Sequence, residues 1–288
     1  MVGRVLSLWG MITRAAPGLP RGHEHVALVY PARAFVRARL GRFADAEQDF
    51  DAAIRLDFAA VVDKISRAFE ATALPAVAQA RDALRTMSRQ LGGDSALYAG
   101  RGVMRRNLGR FDDALADFAS ALARGADPAP VLVERAVLHL ACARYDEAAA
   151  DCEAAFADPA AAAAAHSLHG LARQGQERLA EAEADFDASI RLGRDDALVY
   201  VWRSAMRIRR GDFAAAMADL DCALARPEPP ASAWLMRASI RVELGEAVAA
   251  EQDADEALVR GADAAAAHAL RGAARLMLER LAEAELDL

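Results

Sequence analysis

Few side chains in this 288-residue sequence stand where chemistry could be done. His166 and His169 lie three apart, so on a helix they would share a face, and His139 could approach from an earlier segment. A metal-assisted reaction through His166 and His169 would need further ligands in suitable geometry. The plainer reading of these histidines is packing and hydrogen bonding. His23 and His25 flank Glu24 without a third partner. Cys142, Cys152 and Cys222 show no CxxC spacing and are odd in number. They occupy apolar positions, where free cysteine behaves as a small hydrophobe, and this suits a reducing, cytoplasmic setting. No phosphate loop, GxSxG or clustered Ser/His/Asp set is present, and Gly100-Arg101-Gly102 reads as a helical contact of small residues. The expectation is a protein that is not an enzyme and carries no cofactor.

The charged residues are more regular. Arg33, Arg67, Arg101, Arg135, His169, Arg203, Arg237 and Arg271 recur every 34 residues. Sixteen residues behind them run Asp49, Ala83, Asp117, Asp151, Asp185, Asp219, Asp253 and Asp287. Gly109 lies midway between Arg101 and Asp117, so antiparallel helices joined there would set the two at one height. The pairing could lie within a unit or between neighbours. A ligand-binding charged surface is one reading. Partly buried bidentate pairs that fix the stacking of units are the other, favoured by the alternation of sign in almost every unit. A second arginine column, Arg37, Arg105, Arg173, Arg207, Arg241 and Arg275, follows four residues on along the same helical face. Asp113, Glu147, Glu181 and Glu283 are candidate partners for some of it.

These columns need elements that repeat. Stepping by 34 residues, alanine recurs at Ala46, Ala80, Ala114, Ala148, Ala182, Ala216, Ala250 and Ala284. Twelve residues before each stands a small residue, from Ala34 and Gly102 to Gly272. Three before and four after stand mostly large apolar residues, such as Phe111 and Phe118. Between Leu97 and Ala126 the pattern reads as helix, tight turn at Gly109-Arg110, and helix. Two antiparallel helices approach closely only where facing residues are small. No hairpin can bury both faces alone, so successive hairpins must stack, and stability becomes a nearest-neighbour sum.

In these residues the chain resembles the tetratricopeptide repeat family, whose unit is a 34-residue helix–turn–helix. Gly102 and Ala114 match its small contact positions, and Gly109, Phe111, Phe118 and Ala121 match its turn and second helix. The resemblance covers roughly residues 27–288 and departs where Arg37, Arg105 and their equivalents replace a usual aromatic. It implies an all-α, right-handed superhelical solenoid of about eight repeats, starting near residues 27, 61, 95, 129, 163, 197, 231 and 265, the last incomplete. Residues 1–26 are a leader outside the register, disordered or capping, with a secretory role as a further reading of the apolar run Val5–Ile12. The second unit is the most degraded, with Pro75 at the turn, but it keeps the spacing. Ser232, after the Pro-rich join from Arg226, is a candidate N-cap.

Composition agrees. Apolar residues make up 55% and aromatics only 6%, which disfavours a β-rich fold. The net charge of −7 argues against a nucleic-acid surface, and no apolar stretch reaches the length of a membrane span. In the resembled family the first helix of each unit lines a concave groove. The matching residues here are Phe35, Phe69, Val103, Val137 and Leu171, with Arg39, Arg106, Asn107, Trp202 and Arg209 on the same side. They are read either as a partner-binding strip or as inter-helix packing. The positions where some members clamp a carboxylate lack lysine, which argues against a chaperone-tail receptor. The function expected is a non-catalytic scaffold for a peptide or partner protein, without nucleic acid or membrane. Alternatively, the chain is the repeat region of a larger enzyme or sensor whose effector domain is absent. The apolar end, Leu286 and Leu288, would suit self-association.

Overall fold

The computed structural model describes residues 24–57, 60–63 and 93–287, with the side chains of 24–29 and 93 excepted. All regular structure among them is helical. The chain forms two compact units, residues 1–138 and 139–288.

In the first unit, α1 (Glu24–Arg39) and α2 (Phe43–Arg55) make one hairpin, and α3 (Gly93–Asn107) and α4 (Phe111–Ala123) another. Helix α5 (Pro128–Ala141) begins in this unit. The second hairpin is built as its residues dictate. A Cβ on Gly102 would lie 2.8 Å from the Phe118 ring, so the missing side chain lets the helices close. Phe118, Ala114, Ala121, Val131 and Leu138 form the buried cluster beneath. Most of the predicted second repeat, including Phe69, Pro75 and the arginine of its rung, Arg67, lies outside the described residues.

The second unit holds α6 (Tyr145–Ala155), α7 (Ala162–Gly175), α8 (Leu179–Arg191), α9 (Ala197–Arg209), α10 (Phe213–Leu224), α11 (Ala231–Glu243), α12 (Ala247–Val259), α13 (Ala264–Met277) and α14 (Leu281–Asp287). From α6 onward each helix packs on the next. The first helices of successive hairpins also touch, α7 with α9, α9 with α11 and α11 with α13. Within hairpins the turn residue takes the left-handed conformation that glycine adopts without strain: φ is +77° at Gly211 and +80° at Gly245. Glu177 and Glu279 adopt it at +62° and +59° without that freedom. Asp196, Asp212 and Asp263 cap α9, α10 and α13 by accepting backbone N–H bonds. Ser232 is not a cap, because Pro230 takes that position and α11 already starts at Ala231.

Candidate functional site

The two arginine columns converge on the aspartate column. In the first unit Arg33 donates to both oxygens of Asp49, at 2.9 and 2.6 Å, and Arg37 adds a bond of 2.7 Å. Arg101 and Arg105 hold Asp117 in the same way. In the second unit Asp219 receives Arg203 and Arg207, Asp253 receives Arg237 and Arg241, and Asp287 receives Arg271 and Arg275. Asp49, Asp117, Asp219 and Asp253 are each 2% exposed. The rungs are therefore bidentate, charge-assisted bonds at the hairpin interior.

The rungs of Asp219, Asp253 and Asp287 also reach the preceding hairpin. The free guanidinium nitrogen of Arg203 donates to Asp187 at 2.6 Å, that of Arg237 to Asp221 at 2.7 Å and that of Arg271 to Asp255 at 2.7 Å. Arg207 donates to Glu183 at 2.9 Å and Arg275 to Glu251 at 2.8 Å. The ladder aspartates Asp219, Asp253 and Asp287 thus pair within their own hairpins, and the neighbour is reached through other carboxylates. Burial works against the charge on Arg203, and the hydrogen bonds of Asp219 and Asp187 more than offset it, so its pKa lies above the ordinary arginine value. The carboxylates one and five residues past the marker alanine were missed in the sequence, although Asp187, Asp221 and Asp255 recur at the same 34-residue period. Glu181 pairs with Arg173, but Asp113 and Glu283 bond mainly to the turn residues Arg110 and Arg280.

Asp185 is served by histidine. His169 Nδ1 lies 2.8 Å and His166 Nδ1 3.1 Å from its two oxygens, with the Phe156 ring stacked on His166 at 4.1 Å. His169 Nε2 faces Glu153 at 3.4 Å and accepts from Arg173 Nε at 3.3 Å. His139 lies 3.7 Å from Asp151. Among the described residues no group of three His, Cys, Asp or Glu is arranged to hold a metal ion. Cys152 is buried, and its surroundings push the thiol up to about 12.

The remaining candidates lie on first helices. Phe35 packs edge-on against Phe50, 5.4 Å between centroids, so it belongs to the hairpin interior. Val103 and Val137 are half-buried, and Val103 rests on the Phe118 cluster. Arg106 is ion-paired with Glu134, and Asn107 is exposed. In the second unit Leu171 and Trp202 are half-buried against the core, with Trp202 6.1 Å from Phe186. On α9, Leu198, Trp202, Ala205 and Arg209 fall at helical spacing on one face, with Leu198 and Arg209 exposed. Leu276 and Met277 are exposed near the end of α13. The sequence reading omitted these three apolar residues, because exposure at columns that vary in character has no periodic signal.

The sequence matches no family model and no curated protein. Solved structures resemble the fold. The type IV pilus biogenesis factor PilW is 17% identical, with a TM-score of 0.59 over 81% of this chain and 93% of that one. PilF of Pseudomonas aeruginosa is 19% identical, with a TM-score of 0.54 over 68% and 91%. YrrB, a tetratricopeptide repeat protein described as having an unusual peptide-binding site, is 18% identical, with a TM-score of 0.50 over 59% and 88%. The chain has the tetratricopeptide repeat type of fold, a helical repeat built of stacked hairpins. Among the described residues no helix is long and apolar enough to cross a membrane.

Proposed function

We propose that this chain is a non-catalytic interaction scaffold that holds a peptide or partner protein against the first helices of its hairpins. One observation carries the reading. Helices α7, α9, α11 and α13 adjoin in series, and α9 presents exposed Leu198, half-buried Trp202 and exposed Arg209 along one stripe. The hairpin interiors are already satisfied by their own ion pairs, so the arginine and aspartate columns are structural. On the α9 stripe the side chains left over are apolar, with the cation Arg209 at its end. An apolar segment carrying a carboxylate fits that surface, since exposed apolar clusters on a folded surface mark contacts. The free cysteines suit a reducing, cytoplasmic setting. The test is affinity capture from native cells with the wild-type chain and a Leu198→Glu/Arg209→Glu variant. The expected result is one protein retained by the wild type and lost by the variant, with identical circular dichroism. Equal retention by both would overturn the assignment of this face.

A further inference from the structure

Rungs between hairpins of the second unit have a fixed reach along the sequence. Arg203–Asp187, Arg237–Asp221 and Arg271–Asp255 are 16 residues apart, Arg207–Glu183 and Arg275–Glu251 are 24 apart, and Arg280–Glu251 are 29 apart. The same three contacts join α3 and its turn to α2 in the first unit, each one 34-residue period longer. Arg101 donates to Asp51 at 2.6 Å across 50 residues, Arg105 to Glu47 at 2.9 Å across 58, and Arg110 to Glu47 at 2.6 Å across 63. The apolar contact is shifted by the same amount. A Cβ on Gly100 would lie 2.6 Å from the tip of the Phe50 ring, the position that Trp202 holds against Phe186. Helices α1 and α3 touch as α7 and α9 do.

The charges of the skipped period give a reason. Stacking in chain order would dock α3 on the second repeat, where Arg81 and Arg85 occupy the positions of Glu47 and Asp51. Arg101 and Arg105 would then meet arginines, and like charges opposed at an interface are destabilising. Glu47 in turn would face Ala71, which cannot donate to it. Packing α2 on α3 matches Glu47, Asp51, Arg101 and Arg105 each with its opposite.

We infer that the packing order departs from the chain order: the acidic face of α2, Glu47 and Asp51, is the docking surface for Arg101, Arg105 and Arg110, and residues 59–92 are not required for that contact. These residues make one full period of 34. Removing them leaves the register of every later repeat unchanged, so the first unit has a built-in point at which a repeat can be carried or lost without opening the stack.

A double-mutant cycle in the full chain tests the contact, using Glu47→Ala, Arg105→Ala and the double variant. Each single change is expected to lower Tm by several degrees, and the double to fall short of the sum by about 3 °C or more, since groups in direct contact are non-additive. Additive losses would overturn the inference, because in chain order the two side chains face different hairpins. A second variant deletes residues 59–92, joining Phe58 to Gly93. It also removes buried Val61 and Val62, and is expected to melt cooperatively with Tm lowered by no more than about 5 °C. A coupled cycle with a deletion that fails to fold would keep the docking surface and overturn the dispensability of the period.

Discussion

Asp219 shows what a single residue must do in this fold. Its carboxylate takes two bonds from Arg203 and one from Arg207, and it is 2% exposed. Asp219→Ala leaves Arg203 and Arg207 only the carboxylates of the preceding hairpin, Asp187 and Glu183, and chemical denaturation is expected to show a loss of about 3 kcal/mol. Replacing the whole cluster is expected to behave differently. Arg203→Leu/Arg207→Leu/Asp219→Leu together remove the buried carboxylate with both of its arginines, while Glu183 keeps Arg210 and Asp187 is part-exposed, so this triple variant should recover part of the loss. The opposite case is Arg241, whose Nε is buried without a hydrogen-bond partner and has only the Glu246 carboxylate at 3.7 Å. At the corresponding position Arg207 has Glu183 and Arg275 has Glu251, but Arg241 has Met217. Met217→Glu supplies the missing acceptor. The expected gain is about 1 kcal/mol, read as a rise of a few degrees in Tm.

A hairpin inherits the titration of its rung. Burial raises the Asp185 carboxyl, but hydrogen bonds from His169 and His166 and the charge of Arg173 outweigh it, leaving it below the ordinary carboxylate value. At Asp287 the bonds of Arg271 and His268 depress the carboxyl against burial. A group whose folded pKa is depressed lends stability above its unfolded value and loses it as the pH falls through the folded one. With unfolded carboxylates near pKa ~4, Tm should be nearly level from about pH 7 to 5 and drop progressively below about pH 4. An Asp185→Asn variant should start lower and lose less over the acid range. Much at this scale was legible beforehand. Gly102, Gly109, Ala114 and Asp117 fix helix, turn, close approach and rung because helical spacing turns sequence distance into height. The second partner of each arginine was not legible, since height within a hairpin says nothing about what the next hairpin presents. The contact of α2 with α3 was hidden for a related reason: the intact 34-residue count sets a whole period between them, although Arg81 and Arg85 have the wrong sign to stand for Glu47 and Asp51. The first-helix face was the least legible part. Phe35 and Trp202 are both aromatic and half-buried, yet one packs edge-on on Phe50 of its own hairpin and the other lies against Phe186 of the preceding one, beside exposed Leu198.

Across the whole chain, stability is shared out rather than pooled. Within each unit the packing runs from one hairpin to its stacked neighbour, and among the described residues the only contacts beyond adjoining helices are those between first helices of touching hairpins. A stack of this kind has a free energy close to a sum over hairpins and their interfaces, so damage stays near its origin. Hydrogen exchange on the Asp219→Ala variant reads this directly. Amides of α9 and α10, which share the broken rung, should exchange fastest relative to the wild type. Those of α8 and α11 should follow, because Asp187 loses a fixed partner in Arg203, and α10 also packs on α11. Amides of α3 and α4, buried on Phe118 and held by their own Arg101–Asp117 rung, should keep their wild-type rates. A uniform loss of protection over all helices would mean that a single cooperative core, and not a row of hairpins, holds this protein together.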